Sequence, residues 1–480
     1  MKANIQKKLI TLFEIWSKEE LESSELLPIS GSVRQYIRLI SKNKTAIGCF
    51  NDNYKENSAF LSYAQQLKSA QLPVPKIYAD QLDDHIYLQE DLGDLSFYDH
   101  IDQINRNDEG NLKISILYKS VINHLIEFQF KGHEVIDYSK AYPRSKFDKQ
   151  SMLWDLNYFK HFFIKLAGVS FHEQDLEDDF RMLVNYLLST DTNYFMFRDF
   201  QSRNIMINND EFFFIDFQGG RQGALQYDLA SLLYDAKANL TIDQREELLI
   251  YYMLKLSEKM TVDKAAFRNY YYAYVLIRVM QAFGAYGYRG FFERKQHFLL
   301  SIPYALNNLK YLMDKIELPI KLPALYSVFD QLIHSPNLNE FNYKPKPGLT
   351  VLINSFSYKR SIPLDNSGNG GGFVFDCRFL PNPGRLKEFK ELTGKDQEVI
   401  DYLSPLDEVQ QFINQVENIV SCSIQNYLDR KFNHLMISFG CTGGQHRSVF
   451  CANQLAKHFA DNKHINLELR HVEMEIQQKI

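Results

Sequence analysis

Residues 197–217 read FRDFQSRNIMINNDEFFFIDF, a window that holds Asp199, Asn204 five residues later, and Asp216 beyond a hairpin-like stretch. IMIN and EFFFIDF read as two strands joined at Asn209-Asp210, residue types that tolerate the left-handed backbone of a tight turn. Such a turn folds Asp216 back beside Asn204, so distance in sequence becomes convergence in space. Phosphoryl transfer asks a protein for positioning more than for covalent chemistry. It needs a carboxylate to orient or deprotonate the acceptor hydroxyl, and hard oxygen ligands for Mg²⁺ on the nucleotide. Asp199, Asn204 and Asp216 supply that set.

Outward from this window, 480 residues exceed one ordinary core and predict two or three domains, and a hydrophobic content of 45% fits a globular protein. The formal net charge of −5 gives no overall footprint for nucleic acid, so charge does not support RNA as a partner. The five cysteines, Cys49, Cys377, Cys422, Cys441 and Cys451, are scattered and form no CxxC pair, which argues against a disulfide framework or a zinc site. In MKANIQKKLITLFEIWSKEE, Glu14 and the Lys18-Glu19-Glu20 run interrupt the apolar stretch, which therefore reads as an amphipathic helix and not as a signal core. No stretch approaches the length of a membrane span, and a reducing cytoplasm is the expected location.

The residues before the window suggest a small β-rich lobe. GSVRQYIRLISKNKTAIGCFND alternates like two antiparallel strands turning at Lys42-Asn43, a helix spans Glu56 to Ser69, and Gln89 to Gly93 reads as a hinge. From about Asn111 to Tyr311 the pattern is mostly helical. SPNLNEFNYKPKP, with three prolines, reads as a linker. Beyond it, LTVLINSFSY, FVFDCRF and HLMISFG read as strands alternating with helices, an α/β layer arrangement. The expected fold class is thus an α+β two-lobed domain followed by a separate α/β domain, with boundaries at 1–330, a linker over 331–347, and 348–480.

The order Asp, four residues, Asn, hairpin, Asp resembles the catalytic pattern of the aminoglycoside phosphotransferase superfamily, small-molecule kinases with a protein-kinase-like fold. GSVRQYIRL resembles its phosphate-loop hairpin, QEDLGD its hinge, and QYDLASLLYDA the helix after its metal-binding strand. Within the superfamily the chain looks most like anomeric kinases of N-acetylmuramate or N-acetylglucosamine. The resemblance implies ATP and Mg²⁺ as cofactors and an amino-sugar acceptor. It implies Asp199 as catalytic base, Asn204 and Asp216 on the metal, Gly31 and Ser32 over the phosphates, and Gln89, Glu90, Asp91 and Leu92 meeting the adenine through their backbone.

Two positions depart from that pattern. Phe197 stands where the family has a loop-bracing His, and the strand TAIGCFN has no lysine where related kinases keep a cation for the phosphates. Arg38, on the preceding strand, is the expected substitute. A nucleotide-sensing pseudokinase acting as a regulatory adapter on RNA or a protein is the alternative this opens. Asp228 reads as a helix cap, and Arg278 and Gln281 as side chains one turn apart facing the acceptor cleft.

SFGCTGGQHRSVFCANQLAKHF is strand, glycine loop and helix in succession, an arrangement whose free amides face an anion. His446 and Arg447 are the expected cationic donors to an anion on this loop, with Ser448 as helix cap. The spacing of Cys441 to Arg447 also fits a cysteine phosphatase, with Asp376 as its acid. VFDCRFLPNP, ELTGKD, SFGCTGGQHRSVFCANQLAKHF and LRHVEM together resemble the RapZ C-terminal domain, and the resemblance implies a phosphate- or phosphosugar-binding α/β domain with Cys441, Thr442, Gly443, Gly444, His446 and Arg447 around the ligand and Arg378 and Asn382 as further contributors.

Overall fold

The computed structural model describes residues 1–28, 34–339, 341, 346–365, 367 and 371–479, the side chains of Gln296, His297, Asn337 and Gln477 excepted. Gly31 and Ser32, expected over the phosphates, lie outside the described residues. The chain divides into two compact units, one of residues 1–285 and 304–334, the other of 286–303 and 335–480.

The first unit opens with helix α1 (Ala3–Ser17) and a five-stranded antiparallel sheet. Its strands are β1 (Ser23–Leu26), β2 (Gln35–Ile40), β3 (Thr45–Phe50), β4 (Ile77–Gln81) and β5 (Ile86–Gln89), in the order β1-β2-β3-β5-β4. Strand alternation sends Ile37, Leu39, Ala46, Ile86 and Leu88 to one face, where they bury with Leu9, Leu12 and Phe13 of α1. The opposite face carries Tyr36, Arg38, Ile47, Cys49, Tyr87 and Gln89. Helix α2 (Tyr54–Ser69) follows β3, and Asn53 caps it by accepting the Glu56 N–H at 3.2 Å. The rest of the unit is a helical lobe interrupted by two small sheets, β6 (Tyr194–Met196) with β9 (Arg221–Gly223) and β7 (Ile205–Asn208) with β8 (Glu211–Phe214).

The second unit centres on β10 (Leu349–Ser357), β11 (Gly372–Asp376), β12 (His434–Cys441), β13 (Ile465–His471) and β14 (Ile476–Lys479), ordered β11-β12-β10-β13-β14. The first four run parallel and β14 closes the edge antiparallel. The helices Asp407–Asp429 and Arg447–Phe459 bury Val416, Val420, Leu455 and Phe459 with Val351, Ile353, Ile437 and Leu469 of the sheet. This is a protein-kinase-like two-lobed domain followed by a separate α/β domain. Among the described residues, no helix is long and apolar enough to cross a membrane.

Candidate functional site

The β7–β8 hairpin turns at Asn209 and Asp210 with φ of 51° and 61°, the left-handed pair that matches strand twist. The turn brings the Ile215 N–H to the Asn204 carbonyl at 3.0 Å. Asn204 Nδ2 then donates to the Asp199 carbonyl at 2.8 Å and reaches Asp216 Oδ2 at 3.4 Å. Asp199, Asn204 and Asp216 are therefore one cluster. Burial and the neighbouring Asp199 carboxylate push the Asp216 carboxyl above its ordinary value, against Gln218, whose amide donates to it at 2.7 Å, and Arg34. Among the described residues, no three His, Cys, Asp or Glu side chains gather for a metal. The donor set nevertheless fits Mg²⁺ on a nucleotide in kind, since Asn204 uses its amide nitrogen internally and its side-chain oxygen is a hard ligand like the Asp199 and Asp216 carboxylates.

The loop before Asp199 is held from several sides. Arg198 takes a φ of 84° and Asp216 one of 67°, left-handed conformations that strain residues other than glycine. Both N–H groups around Arg198 are fixed by Asp228, whose oxygens accept from Phe197 at 2.6 Å and Arg198 at 2.9 Å. Asp228 thus braces the loop before Asp199 and does not cap its own helix, a correction to the sequence reading, because the carboxylate points back to the loop. Burial pushes its carboxyl up to about 7 despite those two bonds. The Arg198 guanidinium lies between the Phe147 and Tyr227 rings at 5.0 and 5.1 Å and grips both oxygens of Asp155 at 2.7 and 2.8 Å. Phe197, in place of the bracing His, is buried against Phe128, Phe200 and Phe217. Arg278 bonds Ser231 at 3.0 Å and Gln281 at 2.5 Å, so the two residues meet each other.

The expected nucleotide contacts fall in two places. Gln89 ends β5, and Glu90 donates its N–H to the Lys76 carbonyl at 2.8 Å. Asp91 and Asp94 both grip Arg38, at 2.8 and 2.7 Å, with Glu25 at 3.8 Å, while Leu92 is buried. Arg38 is therefore tied to the hinge segment and does not join the Asp199 cluster. Four residues earlier on the same face, Arg34 is buried and paired with Glu56 at 3.1 Å. The sequence reading passed over Arg34. Its signal is the two-residue alternation, which, carried one residue ahead of β2, puts Arg34 on the side of Tyr36 and Arg38.

In the second unit, parallel pairing brings Ser357, Asp376, Cys441 and His471 to one end of the sheet. Cys441 Sγ accepts the Gly444 N–H at 3.2 Å and touches Ser448 Oγ at 3.1 Å. Ser448 is consequently a partner of the thiol and not the helix cap. Thr442 and Gly443 are exposed, and a Cβ on Gly443 would meet nothing within 4 Å. Gly444 has a φ of 68°, and a Cβ there would lie 2.3 Å from Glu473 Cγ, so only glycine fits. His446 Nε2 bonds the Phe389 carbonyl at 2.8 Å, and Arg447 Nη1 donates to the Arg378 and Leu380 carbonyls at 2.7 and 2.9 Å. Both were expected as anion donors, and both spend these groups tying the loop to neighbouring segments. Asn382 accepts the Gly384 N–H at 3.2 Å, a turn contact. Arg447 Nε, His471 Nε2 and Glu473 Oε1 are buried without a partner among the described residues. Arg378 holds the Asp376 carboxyl below its ordinary range, which suits a general acid poorly.

Residues 31–260 match the model of the phosphotransferase enzyme family, and residues 349–475 that of the RapZ C-terminal domain. The chain therefore carries a phosphotransferase-family domain followed by a RapZ C-terminal domain. A nucleotide-binding protein of Clostridium botulinum is 40% identical over 129 residues, 27% of this chain and 42% of its own length. Another from Paraburkholderia phymatum is 37% identical over 169 residues, 33% of this chain and 54% of its own. The chain thus spans about two fifths to half the length of these curated relatives. Among solved structures, the chain is similar to choline kinase LicA from Streptococcus pneumoniae (14% identity, TM-score 0.40, 64% of this chain and 99% of that one). It is also similar to the ADP-bound aminoglycoside phosphotransferase APH(2'')-Ib (15%, 0.41, 70% and 98%).

Proposed function

We propose that the first unit is an ATP- and Mg²⁺-dependent cytoplasmic kinase that phosphorylates a hydroxyl of a small molecule, an amino sugar by preference, and that the second binds a phosphosugar. The meeting of Asp199, Asn204 and Asp216 carries the first half of this reading. Asp199 would orient the acceptor hydroxyl and take its proton, while Asn204 and Asp216 would hold the metal that neutralises charge on the transferring phosphoryl group. The second half is supported by the glycine loop with open space over Gly443 and by the unpartnered buried atoms around it.

The test is ADP formation from ATP and Mg²⁺ with N-acetylmuramate, N-acetylglucosamine, glucosamine, choline and an aminoglycoside, beside calorimetry with glucosamine 6-phosphate. Turnover on one acceptor class and binding of the phosphosugar are expected. Nucleotide binding with no transfer to any acceptor would move the reading to a regulatory adapter. Steady release of phosphate from a phosphomonoester, lost in Cys441→Ser, would move the second unit to a cysteine phosphatase. The seating of Arg447 on two carbonyls argues against that outcome.

A further inference from the structure

Among the described residues, the buried arginines of the first unit have partners, with one exception. Arg34 pairs with Glu56, Arg198 with Asp155, and Arg278 with Ser231 and Gln281. Arg245 lies over the Tyr234 ring at 4.5 Å. Arg221 opens β9 opposite Met196 and is 6% exposed, yet it spends only Nε, on the Gly219 carbonyl at 2.9 Å. Its Nη1 and Nη2 form no hydrogen bond or ion pair among the described residues, and neither is sealed from solvent as Arg447 Nε is. Asp155, a carboxylate whose charge favours the Arg221 cation, gives both oxygens to Arg198. Burial and the Arg198 charge bring Arg221 down to about 10, so it still carries its charge at neutral pH. A buried cation is costly without an opposite charge, and an end left unpaired and open to solvent is suited to an anion that arrives from outside.

The surroundings of Arg221 say which reactant it meets. The charges acting most strongly on it are those of Arg198, Asp155, Tyr227 and Asp199. Those acting on Asp216 are Asp199, Arg34 and Glu56. Asp199 is the member common to both, with the metal ligand on its nucleotide side and Arg221 on the other. Resting on the kinase reading above, we propose that Arg221 recognises an acidic group on the acceptor, so that the substrate is a hydroxylated carboxylic acid, such as an acidic sugar, and not a cationic one. A carboxylate fits the two free Nη groups because a planar fork takes both of its oxygens at once, and the low dielectric around a buried guanidinium strengthens the pair. Arg198 bears the same charge nearby, but its Nη atoms are committed to Asp155 and Tyr227. The pairing of Met196 with Arg221 sets the guanidinium beside a strand that ends three residues before Asp199, so an acid held there has a neighbouring hydroxyl within reach of the base.

The experiment compares matched acceptors with the full chain, ATP and Mg²⁺: N-acetylmuramate against N-acetylglucosamine, and glucuronate against glucose and glucosamine. Wild type should favour an acid over its neutral and amine counterparts by roughly tenfold or more in kcat/KM. Arg221→Ala should raise KM for that acid by roughly 10- to 100-fold, the scale of charged hydrogen bonds, a loss roughly tenfold larger than on the neutral counterpart. Arg221→Lys, which keeps the charge without the fork, should recover part of the preference, which a merely structural arginine would not show. Arg221→Gln, neutral and of similar length, serves if the alanine variant does not fold. Calorimetry of the same acceptors with Mg-ADP present reads the preference without turnover. A wild type that prefers the neutral or amine member, equal losses on acid and neutral acceptors, or a loss confined to ATP affinity would overturn the assignment while leaving the kinase reading intact. If wild type forms ADP with no acceptor, the kinase reading fails, and calorimetry still decides the role of Arg221: failure of every acid to bind, or acid binding unchanged in Arg221→Ala, would overturn it.

Discussion

The two candidate sites are made from opposite materials. Around Asp199 the chain uses side-chain oxygens, and it places two residues other than glycine, Arg198 and Asp216, in left-handed conformations to aim them. Around Gly444 it sets a glycine loop at the start of a helix, and the left-handed residue is a glycine, for which that conformation costs little. Strain at a non-glycine residue persists only where the surroundings over-determine it. Asp228, Asp155 and the Phe147 and Tyr227 rings do that for Arg198. The contrast fits the two proposed tasks. Moving a phosphoryl group needs charges fixed in one geometry, whereas holding a phosphosugar needs a concave row of donors.

The sharpest way to break this contrast is at the carboxylates. Asp199→Ala should lower turnover by about 10²- to 10⁴-fold, the range for a lost general base, with nucleotide affinity nearly unchanged. Asp216→Ala should instead weaken Mg-nucleotide binding. Steady-state kinetics beside nucleotide titration separates the two, and wild-type activity in both variants would remove the kinase assignment.

Next is the brace. Asp155→Ala leaves the half-buried Arg198 guanidinium with Tyr227 but without its bidentate partner, and since breaking a fully buried pair costs about 3–5 kcal/mol, a loss of about 2–3 kcal/mol is expected. Chemical denaturation should show that loss, and turnover should fall with it because the Arg198 backbone is no longer held. A variant with unchanged stability would mean that the strained φ is supported without Asp155.

The third concerns the glycine loop. Gly444→Ala places a Cβ against Glu473 and Ser357 and forces a φ of 68° on a residue with a side chain. It should weaken glucosamine 6-phosphate binding by roughly tenfold or more, consistent with about 1–3 kcal/mol of strain, and leave ATP turnover within about twofold. Equal loss at both sites would show that the two are not built independently.

How much of this could be read in sequence follows from how local each feature is. The Asp199, Asn204 and Asp216 cluster was legible because an eighteen-residue span and one turn fix it, and the Asn209-Asp210 pair announces the turn. The partners of Arg34 and Arg38 were not, because alternation gives both arginines the same side and only the fold sets Glu56 against the first and Asp91 and Asp94 against the second. Strand β1, SSEL, is exposed throughout and forms by pairing with β2, so no apolar pattern marks it. Strand β13, INLELRH, does alternate, burying Leu467, Leu469 and His471, and was readable though the sequence reading passed it by. The direction of the Arg447 side chain depends on carbonyls of residues 378 and 380, a contact across 67 residues and more that no local pattern encodes.

The smallest expected effect is one of pH, and its sign differs between the two regions. Asp228 is buried beside Asp199 and Arg198, with its carboxyl pushed up to about 7, so between about pH 4 and 7 the folded state holds a proton that the unfolded state has released. Its contribution to stability is therefore complete in acid and declines as pH rises through 7. His471 is buried beside Ser355, with Lys395 nearby, and its imidazolium is disfavoured so that its value falls to about 4. Between about pH 4 and 6.5 the unfolded state binds the extra proton, so this contribution is complete above pH 6.5 and declines as pH falls. Each slope is at most about 1.4 kcal/mol per pH unit. Thermal unfolding from pH 4.5 to 7.5 should show Asp228→Asn flattening a decline with pH and His471→Gln flattening a rise. Parallel slopes in the two variants would mean that burial does not set these two groups apart.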